Sequence, residues 1–115
     1  MNLTFGIDFD GTFAADPDAF AAVCRALWAA GNATVMVTNR PNTNISRTDV
    51  HETIADVLYE EERGKLPVVF ASGEWKAVAA QKAGYKVDIW IDDNSLTLLA
   101  SRAAHLVEPS DGGMF

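Results

Sequence analysis

The sequence predicts a single three-layer α/β domain built on a five-stranded parallel sheet, and three observations carry that expectation. Five short apolar runs punctuate the chain: Leu3 to Ile7, Thr34 to Thr38, Pro67 to Ala71, Val87 to Ile91 and Ala103 to Val107. Most are continuously apolar rather than alternating, as in strands covered on both faces. Apolar stripes at helical spacing lie between them, and such alternation gives a parallel sheet with helices on both faces. Finally, 115 residues can bury one core and are too few for two.

Each crossover has its own signals. Phe20, Val23, Cys24, Leu27 and Trp28 recur at helical spacing, with Asp16 as cap, Pro17 in the first turn and Gly31 as terminator. Val50, Ile54, Val57 and Leu58 form a second stripe. Asp49 and Glu52 are spaced as its cap and third-position partner, Gly64 ends it, and Arg40 to Arg47 reads as a polar loop. A third helix is expected over Glu74 to Ala83, stopping at Gly84. A shorter fourth follows Asp93, capped by Asn94 or Ser95 and burying Leu96 and Leu99. This order is Rossmann-like, with a folded core over residues 1–108 and a C-terminal tail over 109–115.

Composition narrows the function classes. Apolar residues make up 49% and charged residues 22%, which excludes a disordered chain. Nine Lys and Arg against 16 Asp and Glu give a net charge of -7, a field that repels nucleic acid and anionic membranes and argues against a broad nucleic-acid-binding surface. No apolar run reaches membrane-spanning length and no signal-peptide pattern opens the chain, so a cytoplasmic address is the default expectation. Cys24, the only cysteine, has no partner for an internal disulfide or a zinc site and reads as a small core residue. His51 and His105 lack ligand-spaced partners and read as structural. Trp28 is assigned to a core stripe and Trp90 to a buried strand, while Trp75 either lines the mouth of a site or packs.

Ligands of parallel sheets bind beyond the carboxyl ends of the strands, and the polar residues gather there. Strand one runs into Asp8-Phe9-Asp10-Gly11-Thr12, two carboxylates two positions apart with a glycine that permits a sharp turn. Strand two ends at Thr38-Asn39-Arg40 and strand four at Asp92-Asp93. Lys76 begins the helix between strands three and four, with Lys82, deeper in that helix, as the fallback. Crowded carboxylates raise one another's pKa unless a divalent cation neutralises them, and all-oxygen ligation suits magnesium. Carboxylates, a hydroxyl and a lysine around a metal-bound phosphoryl group point to phosphoryl transfer.

These residues resemble the haloacid dehalogenase superfamily, which is marked by four short motifs in fixed order. Asp8-Phe9-Asp10-Gly11-Thr12 is similar to the first motif, Thr38 to the second, Lys76 to the third and Asp92-Asp93 to the fourth. The resemblance extends from residue 3 to about residue 107. It implies that Asp8 attacks phosphorus and becomes an aspartyl phosphate, and that Asp10 protonates the leaving oxygen and later deprotonates the hydrolytic water. It also implies that Thr38 and the Asn39 backbone N–H hold phosphoryl oxygens while Lys76 neutralises nucleophile and phosphoryl group. Mg2+ would be held by Asp8, the Asp10 backbone carbonyl and Asp92, with Asp93 orienting a bound water. A carboxylate at position 10 favours phosphomonoester hydrolysis, because members acting on carbon–halogen bonds or pumping ions lack it.

Family phosphatases often carry a cap domain, yet Phe13 to Pro17 and Ala71 to Lys76 leave no room for one. The expected partner is a phosphorylated substrate, small molecule or polymer end; an open site suits a large one, such as a phosphorylated nucleic-acid end or a protein, or needs a neighbouring subunit, such as a second copy of the chain, as lid. Arg40 and Arg47 are candidate leaving-group contacts or solvated loop cations. A response-regulator receiver domain is the nearest rival, but strand three ends at Ala71-Ser72 without the acid it would need. A dinucleotide-binding domain would need a glycine fingerprint after strand one, which is absent. The second functional class is a catalytically silent phosphate-binding or scaffold protein of the same fold.

Overall fold

The computed structural model describes residues 2–93 and shows an α/β fold with a parallel sheet of four strands. In chain order the elements are β1 (Thr4–Ile7), a 3-10 turn (Phe13–Ala15), α1 (Pro17–Ala29), β2 (Ala33–Thr38), α2 (Asn44–Ala55), α3 (Glu60–Arg63), β3 (Val68–Phe70), α4 (Lys76–Lys82) and β4 (Ile89–Ile91). The fifth expected strand, the helix after Asp93, His105 and the tail lie outside the described residues.

The sheet order is β3-β2-β1-β4, all parallel. Register aligns Ile7 with Met36 and Ile91, and Thr38 with Phe70. The carboxyl ends therefore form one edge. The chain winds outward from β1 through β2 to β3, then crosses back to place β4 on the other side of β1. That reversal makes a topological switch point between β1 and β4, where the loops diverge and leave a crevice.

Alternation along β2 divides the core into two layers. Met36 packs with Ile7, Phe9, Phe13, Cys24, Val50, Ile54, Leu58 and Leu66, beneath α1 and α2. Val35 and Val37 face the other way, toward Val69, Ala71, Ala79 and Ala80 beneath α4. The α4 layer is thin because α4 presents alanines. Each fully buried large apolar side chain contributes about 1.5–3 kcal/mol. Gly6 belongs to the same economy of space: an added Cβ would lie 2.8 Å from the Trp90 ring and 2.9 Å from Val87.

Helix α1 starts as its sequence indicates, with the Asp16 side chain accepting from the Ala19 N–H (3.2 Å) and Pro17 in the first turn. Helix α2 departs from expectation. It begins at Asn44 with the Thr43 hydroxyl as cap, accepting from the Ser46 N–H at 3.2 Å, so Asp49 lies inside the helix rather than at its start. Its stripe does not run unbroken to Gly64 either. The helix ends at Ala55, and the separate turn α3 is tied to α1 by Arg25, which reaches both Glu62 carboxylate oxygens at 2.8 Å and the Val57 carbonyl at 2.9 Å. Trp90 is half-buried rather than buried, because β4 is an edge of the described sheet.

No helix among the described residues is long and apolar enough to cross a membrane. Cys24 is fully enclosed, and burial pushes its thiol up to about 11. Native protein at pH 8 should therefore react with an aromatic disulfide reagent at least about 100-fold more slowly than the chain in denaturant, since the thiolate is the nucleophile. Equal rates would mean that the α1 face of the core opens readily.

Candidate active site

Strand β1 delivers Asp8 to the switch point, and its backbone N–H donates to the Ile91 carbonyl (2.9 Å), extending the β1–β4 pairing by one residue. The chain then turns sharply. The Phe9 side chain inserts into the core at 1% exposure, so Asp8 and Asp10 diverge on either side of it. The Asp8 carbonyl accepts from the Phe13 N–H (3.2 Å) and the Phe9 carbonyl from the Ala14 N–H (2.9 Å), which closes the turn. Gly11 adopts a φ of 76°, and a Cβ there would lie 2.8 Å from the Asp93 Cγ. The glycine thus allows the first loop to approach the Asp93 carboxylate.

Lys76 opens α4 and points inward, 2% exposed. Its ammonium donates to Asp8 Oδ1 at 2.6 Å and to Asp92 Oδ2 at 2.6 Å, bridging the ends of β1 and β4. Asp8, Asp92 and Asp93 each bring a carboxylate oxygen within 4.8 Å of the others. The Thr12 hydroxyl stands 3.5 Å from both Asp8 Oδ2 and Asp93 Oδ1, at the outer limit of hydrogen bonding. Three carboxylates against one ammonium leave two negative charges when all are ionised, and every donor is oxygen. This set could hold a divalent cation.

Burial pushes the Asp8 carboxyl up to about 6 from an ordinary 3.8, against the downward pull of Lys76 and with the help of Asp92 and Asp93. Because the folded value exceeds the unfolded one, the stability Asp8 contributes is present below pH 3.8 and lost as pH rises through about 6. In chelator, the unfolding free energy of wild type minus that of Asp8→Asn should fall between those limits and level off above them. A difference independent of pH would place Asp8 in an ordinary solvated setting.

The other expected residues occupy a second cluster. Asp10 is exposed, and Arg40 holds both its carboxylate oxygens, Nη2 to Oδ1 at 2.8 Å and Nε to Oδ2 at 3.0 Å. The remaining guanidinium nitrogen, Nη1, pairs with Asp49. Thr38 is fully enclosed and its hydroxyl accepts the Arg40 N–H at 3.3 Å, while neighbouring Asn39 is exposed. Arg47 turns away to Asn42 and Asn44. Lys82 pairs with Glu74 on the surface at 2.6 Å, so Lys76 is the lysine at this edge. Trp75 is 53% exposed beside Lys76.

Thr12 and Asp49 join these clusters without a distinguishing signal in the sequence: Thr12 lies in the first-motif segment, and Asp49 has the spacing of a helix cap, a position that Thr43 fills. Among the described residues no folded unit is inserted between β1 and α1 or between β3 and α4.

Gly11→Ala would both strain the backbone and displace Asp93. It should cost about 1–3 kcal/mol of stability and abolish any rise in melting temperature produced by added divalent cation. An unchanged cation effect would show that Asp93 moves aside without consequence. Comparison with protein-family models, curated proteins and solved structures gave no significant match.

Proposed function

We propose that the chain is a magnesium-dependent phosphomonoester hydrolase of the haloacid dehalogenase type, working through an aspartyl phosphate on Asp8. The observation that carries this reading is the buried Lys76 ammonium joining Asp8 to Asp92 across the switch point. An ordinary surface lysine has no reason to be enclosed there, whereas a nucleophilic carboxylate facing an anionic phosphoryl group requires a fixed cation beside it. The four-motif resemblance supports the same assignment.

In the proposed reaction an Asp8 oxygen forms a bond to phosphorus while the bond to the leaving oxygen breaks. Asp10 gives its proton to that oxygen. Asp10 then takes a proton from the water that attacks the aspartyl phosphate, releasing inorganic phosphate and restoring Asp8. Lys76 offsets charge on Asp8 and on the transferring group throughout. Thr38 and Asn39 are proposed to hold phosphoryl oxygens; for Thr38 this employs the hydroxyl that also anchors Arg40. Mg2+, held by Asp8, Asp92 and the Asp10 carbonyl with Asp93 nearby, would supply charge neutralisation of the phosphoryl oxygens.

With no cap among the described residues, the edge suits a phosphate at the end of a large substrate, including a nucleic-acid end, as well as small phosphomonoesters. The test is phosphate release from a panel of nucleotides, sugar phosphates and 3′- and 5′-phosphorylated oligonucleotides, with magnesium or chelator. Release should require magnesium and fall by roughly three or more orders of magnitude in Asp8→Asn. Magnesium-dependent phosphate binding without release from any compound would favour the silent phosphate-binding protein instead.

A further inference from the structure

Asp10 and Arg40 form a built arrangement that the four motifs do not account for. The Asp10 side chain is 56% exposed, and an exposed aspartate with two rotatable bonds samples several orientations unless something fixes it. Arg40 supplies that constraint by a fork-to-fork pair in which both carboxylate oxygens accept N–H donors. Arg40 is itself fixed, both at the guanidinium and along the backbone. Asp49 of α2 binds Nη1, the Phe9 ring lies 5.0 Å beneath the guanidinium carbon, and the backbone is pinned by Thr38 at one end and by the Ser72 N–H donating to its carbonyl (3.3 Å) at the other. A loop arginine serving only solubility would be held by none of these.

We propose that Arg40 is a positioning residue, braced by Asp49, that aims the Asp10 carboxyl at the leaving-group oxygen. The inference rests on the phosphatase reading and assigns Arg40 a role through Asp10 in place of direct contact with substrate. As the bond from phosphorus to the leaving oxygen breaks, the bonding electron pair stays on that oxygen and accepts the Asp10 proton. Arg40 neither gains nor loses a proton. Oδ2 accepts one bond, from Nε, so its other lone-pair position can carry the proton that passes to the leaving oxygen. Aim matters because proton transfer requires hydrogen-bond reach, and small misplacement is costly.

The discriminating property is leaving-group dependence. A nitrophenolate departs without protonation, whereas an alkoxide needs the acid. The experiment measures kcat/KM, which covers steps through phosphoryl transfer to Asp8, for 4-nitrophenyl phosphate and glycerol phosphate with saturating magnesium. It uses wild type, Arg40→Gln, Asp49→Asn and Asp10→Asn. The ratio of the aryl to the alkyl value should rise at least about 30-fold in Arg40→Gln, in the direction shown by Asp10→Asn, and several-fold in Asp49→Asn.

Equal losses on both substrates in Arg40→Gln, or an unchanged ratio, would overturn the inference and assign Arg40 to substrate contact or to folding alone. If Arg40→Gln does not fold, Asp49→Asn decides the matter by the same ratio, because its exposed side chain leaves the core untouched. Wild type inactive on both substrates while binding magnesium and phosphate would defeat the phosphatase reading itself, a distinct result.

Discussion

The ammonium of Lys76 is the interaction on which the carboxyl edge of the sheet depends. It sits between Asp8 and Asp92, both nearly enclosed, at 2.6 Å from each. Removing three charges from water is expensive, and mutual attraction compensates only when geometry is good and no partner is missing. Deleting one member of such a buried set costs about 3–5 kcal/mol, because the remaining charges are stranded. The bridge also has a topological effect. It joins the residues immediately after β1 and β4 to the first residue of α4, so three segments distant in sequence meet at one point.

That bridge does not neutralise the site. With Asp93 included, negative charge exceeds positive, and burial raises rather than lowers the Asp8 carboxyl. A fold selected only for stability would gain more from a well-packed apolar cluster in place of the whole set than from three acids around one lysine. Retaining three acids around one lysine creates a position where an added cation, and an anion brought with it, lowers the energy of the whole cluster. This is the physical content behind reading the site as a place for phosphoryl chemistry.

Much of this was legible in the residues. Continuous apolar runs located β1, β2, β3 and β4 to within a few residues, because strands covered on both faces carry that pattern independent of context. Asp16-Pro17 marked the start of α1 through local chemistry alone. The start of α2 was misread because Thr43 and Asp49 both offer capping oxygens, and the choice was settled by Ser46 and Val50 packing inward. The Arg40 pairs with Asp10 and Asp49 left no local trace: they span 30 and 9 positions and depend on how the β2 loop lies over Phe9. The half-buried state of Trp90 follows from its place in the sheet order, which no single run reveals.

Phe9 explains why the two acids of the first loop have different surroundings. Backbone alternation would point Asp8 and Asp10 in similar directions if the strand continued, but anchoring Phe9 in the core and turning at Gly11 separates them. Asp8 enters the enclosed cluster, where few waters compete for its carboxylate and a neighbouring cation can offset its charge. Asp10 remains exposed and paired with Arg40, where the proposed reaction would have its proton pass to a departing group or come from water. In the proposed reaction, enclosure would serve the nucleophile and solvent access the acid-base residue. A single aromatic side chain between two aspartates thus creates two environments from one short loop, and Arg40 holds both carboxylate oxygens of the outer acid.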